Sequence, residues 1–269
     1  KTSSGDIKVK SVKLNVMDDA YLRRKLLVAS DFFDFEMGGI FQLSTLVPSF
    51  KSYLNHYMAF KVLEKPIETP ESIEQDFYFN LKFKNFNPVL AFLFPTMTMA
   101  NQTSLSGVFT QRNHTLNTTF RSKWIRLGEI LFEAPYLLIQ SDERDARLDF
   151  EMKDLILKKA SSEDAIDFGM QSPKLSLNAA SDSLNFKLSW DNQREKMLNR
   201  GLVNGLYFLD QKKDGNLSLA FNEVIVNDSV LKLSPGNLIQ FREDVTRIEK
   251  FNLQLGKSQL GLQGSIPLR

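Results

Sequence analysis

The chain has 269 residues, with 34 Lys and Arg against 32 Asp and Glu, 42% hydrophobic side chains, 13 Gly, 9 Pro and no Cys. That balance belongs to a folded globular or solenoidal chain, and the missing cysteines exclude a disulfide framework, zinc fingers and thiol catalysis. The charges are interspersed, so there is no basic block to track a phosphate backbone and nucleic acid is not an expected partner.

No apolar run reaches the roughly 18 to 20 residues that span a bilayer, and no Ser/Gly/Pro-rich linker separates two regimes. One continuous architecture over residues 1–269 is therefore expected. The chain starts at Lys1 and stops at Ile266-Pro267-Leu268-Arg269 just after a strand pattern, and it reads as a piece excised from a longer protein.

The first regular element with a clear period is helical. Leu43, Leu46, Val47, Phe50, Tyr53, Leu54 and Tyr57 recur at three- and four-residue spacing, which predicts one apolar stripe on a helix from about Leu43 to Met58. Ser44 or Thr45 is placed to cap it and Pro48 falls in its first turn. The stripe suits either a membrane surface or a sheet end. Its polar face holds few cations, which favours packing over the end of a sheet, where Phe50 and Leu54 would be core.

Next, Phe77, Phe79, Leu81 and Phe83 alternate with polar partners, the period-two signature of a strand with one apolar face. A second short helix follows, with Asn87 as N-cap, Pro88 at its first position, and Val89, Leu90, Phe92 and Leu93 before Pro95; it suits a plug for an apolar opening. Leu116 to Leu127 is a Thr- and Ser-rich strand. Leu131 to Ile139 is interrupted by Pro135, which suggests an edge or a bulge.

Alternation then resumes at Leu148-Phe150-Met152 and at Leu184, Phe186, Leu188 and Trp190. Asp191 to Asn204 reads as a polar loop or marginal helix ended by Gly201 and Gly205. The turn Lys213-Asp214-Gly215-Asn216 introduces Leu217, Leu219 and Phe221, and Gly256-Lys257-Ser258 joins Phe251, Leu253 and Leu255 to Leu260 and Leu262. The expected fold is mainly β, an extended antiparallel sheet with two short amphipathic helices.

Chemistry-bearing constellations are sparse. His56 and His114 lie in different elements and match no metal-ligand spacing, while Asp142, Glu143 and Asp145, or Asp18 and Asp19, read as solvated turn acids. Gly38-Gly39 and Gly201 to Gly205 lack the setting of a phosphate loop and read as turns and bulges. The sequons at Asn101, Asn113, Asn117, Asn216 and Asn227 carry no functional weight. No catalytic residue, metal or cofactor is expected. The 22 Phe against 2 Trp and 6 Tyr supply apolar area without polar tips, and suit either a core or a surface that meets acyl chains.

Three stretches carry a resemblance. Ser30-Asp31-Phe32-Phe33-Asp34-Phe35-Glu36-Met37-Gly38-Gly39-Ile40-Phe41 runs into the helix that ends in Tyr57. Phe77 to Lys84, the Asn87-Pro88 helix and Thr103-Ser104-Leu105-Ser106-Gly107-Val108-Phe109 form a second unit of strand, helix and strand. The tail runs from Asn227-Asp228-Ser229 through Leu238-Ile239-Gln240-Phe241 and Phe251-Asn252-Leu253 to Gln259-Leu260-Gly261-Leu262-Gln263-Gly264.

In this order the three resemble the TamB/AsmA-like proteins of Bacteroides-like bacteria, over about Leu26 to Leu268. The resemblance implies a periplasmic protein anchored in the inner membrane, a sheet rolled into a half-pipe (a β-taco) with an apolar inside, and a non-enzymatic role in moving phospholipid to, or assembling, the outer membrane. It implies acyl chains as ligands and an outer-membrane barrel partner met through regions beyond this chain. Phe77, Phe79, Leu81, Phe83, Leu184, Phe186, Leu188, Trp190, Leu217, Leu219, Phe221, Phe251, Leu253 and Leu255 would line the groove. The rival reading is a closed β-sandwich serving as an adhesin or glycan-binding module, which the Phe-over-Trp bias and the two apolar helices disfavour.

Overall fold

A computed structural model describes residues 8–18, 23–58, 74–158, 168–192, 198–226 and 228–267; Asp19, Asn227 and Leu268 of the readings above lie outside them. In chain order come β1 (Val12–Asp18), β2 (Arg24–Ser30), β3 (Phe33–Ile40), a 3-10 turn at Leu43–Thr45, α1 (Leu46–Tyr57), β4 (Asp76–Phe83), α2 (Asn87–Leu93) and β5 (Met97–Met99). Then follow β6 (Ser104–Thr110), β7 (Thr115–Arg121), β8 (Trp124–Leu127), β9 (Ile130–Glu133), β10 (Tyr136–Ser141), β11 (Ala146–Glu151), β12 (Asp154–Lys158), β13 (Phe168–Gln171) and β14 (Lys174–Ala180). The last are β15 (Ser183–Asn192), β16 (Asn199–Leu209), β17 (Gly215–Val226), β18 (Ser229–Leu233), β19 (Leu238–Phe241), β20 (Val245–Leu255) and β21 (Ser258–Pro267). The protein is mainly β and antiparallel, as the alternation requires, and among the described residues there are two α-helices.

Contacts divide the chain into two compact units, one of Lys1–Phe50, Glu68–Glu143 and Phe150–Gly169, the other of Lys51–Ile67, Arg144–Asp149 and Met170–Arg269. In the first, strands run in the order β1-β2-β3-β4-β6-β7-β10, and a smaller sheet is ordered β13-β12-β9-β8-β5. Pro135 is where the chain leaves the small sheet for the large one, so it marks neither an edge nor a bulge. Ala134 just before it takes φ +49, and the Pro135 carbonyl accepts from Ser122 N–H at 3.1 Å. The Ser122 hydroxyl lies 2.7 Å from that of buried Thr103. The Leu116 to Leu127 stretch is accordingly two strands in two sheets, β7 and β8.

The buried side chains of this unit include Phe32, Met37, Phe41, Phe109 and Leu116, with Leu90, Met99 and Ala100 around α2. Asn87 does not cap α2. The N-cap is Phe86, with no side-chain bond, and the Asn87 amide oxygen accepts from Met99 N–H at 2.9 Å, tying the helix to β5 instead.

The second unit runs β14-β15-β16-β17-β18-β20, with β19 between β17 and β20 and β21 outside β20. Ser181 and Asp182, at φ +49 and +59, make the two-residue turn between β14 and β15. Asp182 N–H donates to the Tyr57 carbonyl at 3.0 Å and so satisfies a carbonyl of the last turn of α1. Of the stretch Asp191 to Asn204, both described ends are strand rather than loop or helix, since β15 reaches Asn192 and β16 begins at Asn199; residues 193–197 lie outside the described ones. Its polar residues misled because a strand with a wet face needs them at alternate places.

Candidate functional site

Residues directly opposite one another in an antiparallel pair share a face, so the register follows one face from strand to strand. In the first unit Phe83, Leu81, Phe79 and Phe77 stand opposite Phe33, Phe35, Met37 and Gly39. Phe35 and Met37 continue to Val28 and Leu26, and these to Leu14 and Val16. On the other side Leu81, Phe79 and Phe77 meet Leu105, Gly107 and Phe109. Arg24 and Asp18 are the charged pair at its rim, bonded to each other at 2.8 Å.

The second unit repeats the arrangement. Leu184, Phe186, Leu188 and Trp190 of β15 stand opposite Tyr207, Gly205, Val203 and Gly201 of β16. These meet Leu217, Leu219, Phe221 and Val224, a bulge after Leu202 absorbing the odd residue. Val224 leads to Leu231, which with Leu233 faces Leu255 and Leu253 of β20, and Leu253 and Phe251 face Leu260 and Leu262. All ten of the second unit's predicted groove residues thus share one face, and no register-paired position of β14 to β21 on that face is charged.

This face is only partly covered. Of the fourteen predicted groove residues Trp190 alone is buried, Leu255 is exposed and the other twelve are half-buried. Sequence reasoning missed Leu26, Val28, Met37, Leu105, Phe109, Val203, Tyr207, Leu231 and Leu233, whose membership rests on register; Leu26-Leu27-Val28 reads as an unbroken apolar run rather than an alternation.

The glycines have a different role from the one expected. Gly201 and Gly205 sit inside β16, where a Cβ would overlap the rings of Trp190 and Phe186, and a Cβ at Gly107 would lie 2.8 Å from the Phe79 ring. Each ring lies across the bare backbone of its cross-strand neighbour. Gly39 takes φ +134, and any side chain there would meet the Asp76 carbonyl and Phe77 Cα.

The opposite face is polar. Tyr78 lies over Gly38, donates its hydroxyl to Glu36 at 2.9 Å, and shares that carboxylate with Lys25 Nζ at 2.9 Å. The bonds from Lys25 and then Tyr78 hold the Glu36 carboxyl below its ordinary range, and the Tyr78 hydroxyl is raised in return. Arg200 pairs with Glu223 on the corresponding face of the second unit.

The α1 stripe is split by the structure. Tyr53 and Tyr57 are buried, with ring centroids 5.3 Å apart, and Leu46 is half-buried. Leu43, Val47, Phe50 and Leu54 are exposed, so the expectation that Phe50 and Leu54 are core is wrong. The buried positions are instead Ser49, Tyr53 and Tyr57 of α1, together with Thr45 in the 3-10 turn before it, whose hydroxyl accepts from the Gln75 amide nitrogen at 2.7 Å.

Among the described residues no three His, Asp or Glu side chains converge in metal-binding geometry, and no helix is long and apolar enough to cross a membrane. No family model, no curated protein and no solved structure matches the chain. What the arrangement offers chemically is half-open apolar area, uncharged in the second unit and carrying one ion pair at its rim in the first.

Proposed function

We propose that this chain is a segment of a non-enzymatic, TamB/AsmA-like periplasmic protein whose uncharged sheet face holds phospholipid acyl chains, curved as a half-pipe, on their way to the outer membrane. The observation that carries the reading is the register: in the second unit residues picked from separate alternating runs lie on one uncharged face, in the first the apolar face of β4 continues across β1 to β6 with only the Arg24–Asp18 pair at its rim, and both faces stay largely half covered. Burying a methylene of an acyl chain there contributes about 0.8 kcal/mol, so ten methylenes suffice for strong retention. The glycan-binding alternative needs exposed aromatic platforms. Trp190 is buried with its indole N–H given to Asn199 at 2.9 Å, and Trp124 is half-buried.

The test places a charge on each unit's face, as Leu81→Arg and Leu253→Arg. A charge in a sealed core unfolds the protein, whereas on a half-open face it reaches water. Both variants should keep β-type circular dichroism, and native mass spectrometry should show co-purified phospholipid lost. Wild-type protein that carries no lipid, with variants that unfold, sinks the proposal.

A further inference from the structure

The small sheet of the first unit ends in a feature that the apolar face does not absorb. Ala91 to Thr96 is exposed throughout, with Phe92, Leu93 and Phe94 at 66%, 55% and 59% accessibility. The exposure belongs to a built tip. Leu90 beneath it is 3% accessible, Phe86 packs on Phe83 at 4.8 Å between centroids, and Phe94 N–H donates to the Leu90 carbonyl at 2.6 Å. The Thr96 carbonyl accepts from Gly128 N–H at 2.7 Å, and Met97 pairs with Leu127, itself exposed, so the β8–β9 turn stands beside the tip.

Two properties identify what covers it. No charged residue occurs between Lys84 and Arg112, so burying the tip desolvates no ion. Successive helical residues point about 100° apart, so Phe92 and Leu93 diverge from the axis, and Phe94 follows them at the non-helical C-cap, with φ −139 and ψ 77. A flat protein surface cannot cover three such side chains together; a hydrocarbon phase surrounds them all. Beside the tip, Arg126 and Lys158 line one shallow pocket with Leu131 and Ile156. Neither cation has an ion pair among those found in the described residues, and Glu129 is the pocket's one acid.

We infer that this end of the small sheet is a membrane-docking site: Phe92, Leu93, Phe94 and Leu127 enter one leaflet of a phospholipid bilayer, while Arg126 and Lys158 meet headgroup phosphates. Apolar insertion supplies the affinity and the two cations add a preference for anionic lipid. The inference stands apart from the acyl-chain reading, since it uses none of the groove residues.

Co-flotation with phosphatidylcholine vesicles, with and without phosphatidylglycerol, tests it on the whole chain. Wild-type protein should float with both and more with phosphatidylglycerol. The triple variant Phe92→Ser, Leu93→Ser, Phe94→Ser should lose about a thousandfold in partitioning, at roughly tenfold for each apolar side chain. Arg126→Glu with Lys158→Glu should abolish only the preference for phosphatidylglycerol. Leu93→Trp, at an exposed position, should show blue-shifted emission with vesicles. Failure of the wild type to float, or flotation of a folded triple variant at the wild-type level, overturns the inference. Lipid co-purification unchanged in the triple variant keeps this result separate from the groove.

Discussion

Gln75, just before β4, is fully buried and its side chain ties that strand's start to the 3-10 turn ahead of α1, so replacing it tests that link. Its amide oxygen accepts from Gln42 N–H at 3.1 Å, and its amide nitrogen donates to the Thr45 hydroxyl at 2.7 Å. Gln75→Leu keeps most of the volume and removes both bonds. The Gln42 N–H is then left unsatisfied, which costs about 1–3 kcal/mol, and the lost bond to Thr45 adds about 1 kcal/mol. The Thr45 hydroxyl still donates to the Gln42 carbonyl at 3.1 Å, which limits the damage. The sum is a loss of roughly 2–4 kcal/mol, measured by urea unfolding with unchanged slope. Thr45→Val in the same background should couple to it by more than about 0.5 kcal/mol in a double-mutant cycle. A Gln75→Leu protein within about 0.5 kcal/mol of wild type, or strictly additive variants, would refute the assignment of this network as what orients α1.

The split helix stripe gives a paired expectation: Phe50→Ala, at an exposed position, should change stability by under about 1 kcal/mol, and Tyr53→Ala by about 3–5 kcal/mol, in the same urea titration; equal effects would mean that the inward side is misassigned. The carboxyls of Glu36, of Asp18 beside Arg24 and of Asp210, which accepts from Asp214 N–H, are all lowered, so they contribute stability that is present above their ordinary values of 4.5 and 3.8 and is lost as pH falls through the lower folded values. Unfolding midpoints should therefore fall on acidification below about pH 4.5, and Glu36→Gln should flatten the fall; an acid-insensitive midpoint contradicts it.

Phe77 to Phe83 was legible because its two faces differ at every step, and a period of two needs no tertiary information. In the second unit β15, β17, β20 and β21 were legible as alternating runs, but β16, β18 and the continuity of the face were not. Whether Phe221 and Val224 share a side depends on the bulge at Leu202 and Val203, which no local pattern announces. The helix failed differently. Seven apolar positions at helical spacing outline a stripe wider than one contact, and which edge turns inward depends on distant partners, such as Gln75 on Thr45 in the preceding turn, that no local pattern shows. Gly201 and Gly205 were read as turn residues because a glycine's commonest use is a turn, whereas their partners Trp190 and Phe186 become visible only once the register is known.

Those glycines also bear on what the apolar face is for. A face that interdigitates with a second sheet fills a gap of about 10 Å with side chains standing off the backbone. Phe186 and Trp190 instead lie across Gly205 and Gly201, spending their ring area on their own sheet. Laid flat, a ring shields the neighbouring strand's backbone and leaves a low, uncharged surface above it, over which an alkyl chain can lie without matching particular knobs and holes. Under the proposed acyl-chain role, such a surface would trade selectivity for one partner protein against tolerance of chains of differing length and unsaturation. Adding a Cβ beneath the ring, as in Gly205→Ala, forces it upright, so the same substitution that roughens the face would favour a sealed contact over a lipid tail.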